Sequence, residues 1–237
     1  MLIVGPCSLE SYEKGIIDAN RCKELGIEYF RAGVFKPRTF PDSFQGLREK
    51  GLKILTQIKK ETGLKIVSEI VAIEYLPLYD DIDILQIGSR NCQNFEMLKE
   101  IASINKPILL KRGFGMTIKE FLGAAEYLRK FGAKDIILCE RGIKTFETAT
   151  RNTLDLAAVP FLQEEGYKVI VDPSHGTGIR KLVYPLSKAA LAVGADGLII
   201  EVTQNPDTAL TDSYQTIDFD TLKNIKQFYN NYNNYFK

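Results

Sequence analysis

The sequence lacks any long apolar stretch and any excess of charge of one sign. No apolar run approaches the roughly 18 residues that a membrane-spanning helix requires. The 31 Lys and Arg residues nearly balance the 30 Asp and Glu residues, so no overall field favours nucleic acid or an anionic membrane surface. We therefore expect neither a membrane nor a nucleic acid as a partner, and any recognition of anions has to be local.

Cysteine is scarce, and its spacing shows no CxxC pair. The cysteines are Cys7, Cys22, Cys92 and Cys139. A chain of this length can bury its own core without disulfides, which favours free thiols in a reducing cytoplasm and leaves one thiol available as a metal ligand. The N-terminus has neither the basic segment nor the long apolar segment of a signal peptide. We expect a cytoplasmic protein.

The sequence also lacks the nucleotide-binding motifs GxGxxG and GxxxxGK[ST]. Instead it repeats one pattern, in which an amphipathic segment ends at a glycine and a short apolar run follows. The glycines are Gly26, Gly63, Gly132, Gly166 and Gly194, and glycine commonly terminates helices because it adopts the left-handed conformation. Three further apolar runs, at 2–4, 84–87 and 108–110, bring the predicted strands to eight.

Eight buried strands alternating with helices predict an α/β protein with a single closed (β/α)₈ TIM barrel. An open doubly wound sheet is the alternative, but eight units in 237 residues favour closure. We expect residues 1–237 to form one catalytic domain without a separate regulatory domain.

Polar residues follow nearly every predicted strand, at the end where such barrels carry out catalysis. One group is cationic and consists of Arg31, Lys36, Arg38, Arg90, Lys111 and Arg141. Six cations around one barrel mouth would repel one another unless anions bound among them, and Arg and Lys suit phosphate and carboxylate. The pattern predicts a site for two anionic substrates.

A second group consists of Cys7, Glu201, Asp212 and the only histidine of the chain, His175. A single histidine is more often structural than a ligand, but His175 lies in a Gly/Ser-rich segment that we interpret as a loop rather than an apolar face. A thiol, an imidazole and two carboxylates suit one divalent ion among Mn²⁺, Fe²⁺, Co²⁺ and Zn²⁺. The sequence does not select one of them.

Several motifs together resemble a known family. They are Gly5-Pro6-Cys7-Ser8-Leu9-Glu10, Lys36-Pro37-Arg38-Thr39, Gly88-Ser89-Arg90-Asn91, Cys139-Glu140-Arg141-Gly142, Asp172-Pro173-Ser174-His175 and Ile200-Glu201-Val202. In combination they resemble the 3-deoxy-D-arabino-heptulosonate 7-phosphate (DAHP) synthases, and in particular the β subgroup of type I. The resemblance extends from about residue 2 to residue 222.

The resemblance implies that phosphoenolpyruvate and erythrose 4-phosphate are joined to give DAHP and phosphate, at the start of the shikimate pathway. The family's metal ligands correspond to Cys7, His175, Glu201 and Asp212. Its phosphoenolpyruvate contacts correspond to Lys36, Arg90, Lys111 and Arg141, with Arg31 near the same pocket.

The resemblance also bears on the aldose-phosphate site, on proton transfer and on the oligomeric state. Arg38 and Thr39 match the residues that hold the aldose phosphate, although Phe40 stands where serine is frequent and Ser89 where alanine is frequent. Either Lys36 or Lys111 could move protons. Barrels of this family assemble, so we also expect a homo-oligomer, either a dimer or a tetramer.

Two other functions would also use a barrel that binds phosphorylated compounds. A sister enzyme condenses phosphoenolpyruvate with arabinose 5-phosphate, giving 3-deoxy-manno-octulosonate 8-phosphate, but it usually carries Lys-Ala-Asn-Arg where this chain has Lys36-Pro37-Arg38-Thr39. A non-catalytic barrel that binds sugar phosphates is the second alternative. The Cys–His–Glu–Asp set argues against a non-catalytic barrel, because phosphate binding alone does not require such a set.

Overall fold

The computed structural model describes residues 1–37 and 40–236, and within them eight parallel strands form one closed barrel. The strands are β1 (Leu2–Gly5), β2 (Tyr29–Arg31), β3 (Lys65–Ile70), β4 (Ile84–Ile87), β5 (Ile108–Lys111), β6 (Ile136–Glu140), β7 (Lys168–Val171) and β8 (Gly197–Glu201). Each strand pairs with the next along the chain, and β1 pairs with β8, where Gly5 lies opposite Glu201. The closed (β/α)₈ barrel is confirmed, and the open sheet was the wrong alternative.

Helices connect the strands and cover the outside of the barrel. They are α1 (Tyr12–Glu24), α2 (Arg48–Thr62), α3 (Phe95–Ala102), α4 (Ile118–Lys130), α5 (Ala158–Glu164), α6 (Pro173–Thr177), α7 (Arg180–Ala192) and α8 (Phe219–Phe236), with short 3₁₀ segments at Ile73–Leu78 and Pro206–Thr208. In the described part of the chain, no helix is both long and apolar enough to span a bilayer.

The apolar core has two layers because every strand is buried on both faces. The interior of the barrel is filled by Ile3, Val67, Ile84, Leu109, Ile137, Cys139, Ile170 and Ile199. A larger layer lies between the strands and the helices, where Phe30 and Phe121 are fully buried. This arrangement explains why the strands appear in the sequence as continuous apolar runs rather than alternating ones.

The helix boundaries follow local capping chemistry. Thr117 begins α4 with a capping box, in which its hydroxyl accepts from the Glu120 amide and the Glu120 carboxylate accepts from the Thr117 amide. Gly63 ends α2 with φ of 75°, a conformation that favours glycine. All five glycines of the repeated pattern have positive φ, between 63° and 115°, as the sequence predicts.

The segment around His175 differs from the expected loop. Residues Pro173–Thr177 form the short helix α6, and the side chain of Asp172 caps it by accepting from the His175 amide at 2.8 Å. Proline suits the first helical position, because the amide donor that it lacks would have no partner within the helix. Gly178 ends the helix with φ of 71°. The interpretation of this segment as a loop was wrong, because five residues are too few to show a helical periodicity.

Candidate active site

The four predicted ligands converge at the carboxyl ends of three strands. Cys7 follows β1, His175 lies in α6 after β7, Glu201 ends β8, and Asp212 lies in the segment after β8. One potential ligand atom from each residue lies within 4.8 Å of those of the other three. The Cys7 Sγ is 3.2 Å from Asp212 Oδ2, and the His175 Nε2 is 3.2 Å from Glu201 Oε1.

The electrostatics of this cluster suit a divalent cation. Burial, followed by the charge of Glu201, raises the pKa of the Cys7 thiol to about 12. Burial opposes ionisation of Asp212, but the positive potential of His175 and Lys36 outweighs it and lowers the pKa of that carboxyl to about 2. Buried acceptors at such short separations are stabilised by a cation among them, which can also replace the thiol proton. The soft and hard donors together fit a divalent transition metal ion.

The backbone around Asp212 is held in an uncommon conformation. Asp212 has φ of 52°, in the left-handed region that few residues other than glycine adopt. Its carbonyl accepts from the amides of Gln215 at 3.1 Å and Thr216 at 3.2 Å, and from the Thr216 hydroxyl at 3.0 Å. These bonds offset the local strain and present the Asp212 carboxylate to the other three ligands, as expected of strain at a functional site.

Arg31 lies behind the ligands rather than in the open site. Its guanidinium donates to Glu201 Oε1 at 2.9 Å and to the Pro6 carbonyl at 3.0 Å, and both charged side chains are buried. Gln215 donates to the other Glu201 oxygen at 2.6 Å. Arg31 therefore orients the carboxylate of Glu201, a predicted metal ligand, and its direct contact with substrate stays a prediction.

A cavity of about 300 Å³ opens beside the ligand cluster and is rich in cations. The charged residues that line it are Lys36, Arg90, Lys111, Arg141, Arg151, Glu69 and Asp212, and His175 is also in its wall. Lys36 joins the two parts of the site, because its Nζ lies 3.1 Å from the Cys7 Sγ. The cavity can therefore receive anionic groups next to the ligand cluster.

Arg141 provides the clearest indication that an anion belongs in the cavity. Its guanidinium is buried, and the Nη1 atom has no hydrogen-bond partner. It packs over the ring of Phe114 at 4.6 Å, and the guanidinium of Arg90 approaches the same ring at 5.7 Å. Burial lowers the pKa of Arg141. A buried cation with an unused donor is costly unless a ligand completes its hydrogen bonds.

The structure brings most of the predicted site residues together. Cys7, His175, Glu201 and Asp212 form the ligand cluster, and Lys36, Arg90, Lys111 and Arg141 line the adjoining cavity. Arg38 and Thr39 lie outside the described residues. Cys22, Cys92 and Cys139 are buried free thiols and do not belong to the ligand cluster.

The sequence argument did not assign a role to three residues of the site. Asp172 is buried against both Lys111 and His175, and its position directly after β7 was the available signal. Glu69, at the end of β3, lines the cavity and accepts from Gln86 at 3.0 Å. Arg151 also lines the cavity and lies 3.6 Å from Asp212 Oδ1, but it belongs to a loop without a strand-end signal.

Fold and site together define a barrel enzyme with a cluster of potential metal ligands and a cation-lined cavity at the carboxyl ends of its strands. A model of the DAHP synthetase I family matches residues 1–237. The chain belongs to this family, and the resemblance inferred from its motifs is confirmed.

Known proteins of two kinds are similar to this chain. Phospho-2-dehydro-3-deoxyheptonate aldolase of Thermotoga maritima is 51% identical over 228 residues, covering 95% of this chain and 68% of the relative. A crystal structure of that DAHP synthase superposes with a TM-score of 0.94 at 49% identity, covering 98% of this chain and 68% of the other. 2-Dehydro-3-deoxyphosphooctonate aldolase of Desulfotalea psychrophila is 32% identical over 244 residues, covering 95% and 86%.

Proposed function

We propose that this chain condenses phosphoenolpyruvate with erythrose 4-phosphate to give DAHP and inorganic phosphate. The observation that carries the proposal is the buried Arg141, whose unused donor belongs to a cation-lined cavity adjoining the Cys–His–Glu–Asp cluster. The 51% identity to an enzyme named for the heptonate product favours the shorter aldose over arabinose 5-phosphate. The relative named for the octonate product is only 32% identical.

The cavity cations would bind and orient phosphoenolpyruvate. We assign its phosphate and carboxylate to Arg141, Arg90, Lys111 and Lys36, because these side chains surround one space. Arg38 and Thr39 are proposed to hold the phosphate of the aldose. Fixing both substrates at attack distance converts a bimolecular reaction into an effectively unimolecular one, which can lower the barrier by several kcal/mol.

The reaction forms one carbon–carbon bond and one carbon–oxygen bond, and it breaks another carbon–oxygen bond. C3 of phosphoenolpyruvate attacks the aldehyde carbon, water adds at C2 and releases one proton, and phosphate departs with the oxygen that joined it to C2. Positive charge that develops at C2 is tolerated because the neighbouring carboxylate and phosphate remain anionic. The aldehyde oxygen gains a proton, and we assign its delivery to Lys36, the cavity lysine in contact with the Cys7 thiol.

Cys7, His175, Glu201 and Asp212 would hold one divalent ion from the group Mn²⁺, Fe²⁺, Co²⁺ and Zn²⁺. When bound, such an ion supplies Lewis-acid polarisation of the aldehyde carbonyl. The chain's own contribution is to keep the four donors in place, through Arg31 behind Glu201 and the turn that follows Asp212.

The proposal is tested by following the absorbance of phosphoenolpyruvate with each aldose phosphate in turn. We expect rapid consumption with erythrose 4-phosphate, release of one phosphate per phosphoenolpyruvate, and a kcat/KM at least tenfold lower with arabinose 5-phosphate. Lys36→Met is expected to lower kcat, with Lys119→Met on exposed α4 as the matched control. A preference for arabinose 5-phosphate, or no consumption with either sugar, would contradict the proposal.

A further inference from the structure

Asp172 makes three short contacts that join the two halves of the site. Its Oδ1 accepts from the His175 backbone amide at 2.8 Å. Its Oδ2 lies 2.7 Å from His175 Nδ1 and 2.5 Å from Lys111 Nζ. The Asp172 side chain is only 1% exposed, so water does not compete for these bonds.

The contact with His175 determines which ring nitrogen faces the other ligands. A carboxylate oxygen can only accept, so Nδ1 carries the proton that it donates to Asp172. In the neutral ring, which is the form that binds a metal, Nε2 then carries no proton, and it faces Glu201 at 3.2 Å and Asp212 at 3.8 Å. A carboxylate behind a histidine in this way fixes both the tautomer and the orientation of a metal ligand.

The contact with Lys111 positions a cavity cation that comes from a strand two places away in the barrel. Lys111 ends β5, whereas Asp172 follows β7, and the two strands are separated by β6. Lys111 has four rotatable bonds and is nevertheless buried, so a single short ion pair determines where its ammonium lies in the cavity. A single oxygen, Asp172 Oδ2, therefore contacts both the metal-ligand histidine and a substrate-binding lysine.

We propose that Asp172 is a positioning residue shared by the metal site and the phosphoenolpyruvate site. It acts on the metal through His175 and on the substrate through Lys111, and it touches neither directly. The inference rests on the proposed function, because it takes the cavity as the phosphoenolpyruvate site and the ligand cluster as the metal site.

Binding measurements on two variants test this role. Asp172→Asn keeps an oxygen that can cap α6 but places an amide donor opposite Lys111 and His175. Asp172→Ser also retains a helix-capping oxygen and lacks the second one. We expect both variants to bind Mn²⁺ roughly 10–100-fold more weakly, as is usual when a partner behind a metal ligand is removed, and phosphoenolpyruvate on the order of tenfold more weakly. The KM for erythrose 4-phosphate should change less than twofold.

A double-mutant cycle separates positioning from a general loss of structure. In a Lys111→Met background, Asp172→Asn should no longer weaken phosphoenolpyruvate binding but should still weaken Mn²⁺ binding. Asp18→Asn is the matched control and should retain both affinities, because Asp18 is a buried aspartate of α1 that contacts the segment after β8.

Three outcomes would overturn the inference. They are unchanged affinities in both Asp172 variants, loss of only one affinity, and persistence of the phosphoenolpyruvate effect in the Lys111→Met background. Failure of the proposed function is distinguishable, because it would appear in the wild-type chain as an absence of turnover with erythrose 4-phosphate. Wild-type protein that binds neither Mn²⁺ nor phosphoenolpyruvate would overturn both.

Discussion

The guanidinium of Arg112 donates to Glu140 at 2.8 Å, and both side chains are buried at the end of the barrel next to Arg141. Arg112 also donates to Asp155 at 2.9 Å. The second oxygen of Glu140 accepts from the Gly142 amide at 2.7 Å. One ion-pair network therefore anchors the turn that carries Arg141.

Replacing Arg112 with Met is expected to destabilise the protein by about 3–5 kcal/mol, because it leaves Glu140 buried without its partner. Urea unfolding measures the change. Lys65→Met is the matched control, since Lys65 pairs with Glu28 on the surface, where such a pair contributes about 0–1 kcal/mol. Equal effects of the two substitutions would show that the Arg112 network does not stabilise the fold.

Activity should depend on the divalent ion and on the Cys7 thiol. Chelator-treated protein is expected to be inactive and to recover with Mn²⁺ or a similar ion. Cys7→Ser should weaken Mn²⁺ binding by a factor on the order of 100, because a hydroxyl is a poor replacement for a thiolate ligand. Cys22→Ser, in the buried face of α1, is the control. Full turnover by protein shown to be metal-free would refute the prediction.

The cavity should divide substrate recognition between different residues. Arg141→Ala is expected to raise the KM for phosphoenolpyruvate, and Arg38→Ala the KM for erythrose 4-phosphate. The loss of a buried phosphate contact costs roughly 2–4 kcal/mol in kcat/KM. Steady-state kinetics with each substrate varied in turn measures both effects. Equal changes in the two KM values for both variants would show that the division is wrong.

The sequence alone predicts the barrel and much of its site for a physical reason. Parallel strands buried on both faces, such as β5 and β6, require unbroken apolar runs, and closure brings their carboxyl ends to one place. Cys7 and Glu201 could therefore be placed together although they are far apart in the chain, and the structure confirms this.

Other features depend on partners that a linear pattern does not specify. The sequence identifies Arg31 as a cation at a strand end, but only the folded chain shows that it is paired with Glu201. The sequence does not predict the roles of Asp172 and Arg151 for the same reason, since these roles come from contacts across the barrel mouth. The sequence pattern does not predict helix α6, because this helix is shorter than two turns.

Asp18 provides a prediction about stability and pH that is independent of the active site. Its side chain is buried between α1 and the segment after β8, where it accepts from the Thr203 hydroxyl at 2.7 Å and the Gln204 amide at 2.8 Å. Burial raises the pKa of Asp18 to about 6, although these two hydrogen bonds oppose the shift. Glu10 contributes further to the increase and Lys14 reduces it.

The sign of the effect follows from proton binding. Between the ordinary pKa of 3.8 and the folded value of about 6, native Asp18 holds a proton that the unfolded chain has released. The free energy of unfolding contributed by this group therefore falls as pH rises through that window, and is highest below it. A shift of about two pH units corresponds to about 3 kcal/mol.

Asp18→Asn cannot ionise, so its stability relative to wild type should increase between pH 4 and pH 6.5 and then level off. Urea unfolding of both proteins across this range measures the difference. A difference between Asp18→Asn and wild type that is constant with pH would show that burial does not shift the ionisation of Asp18.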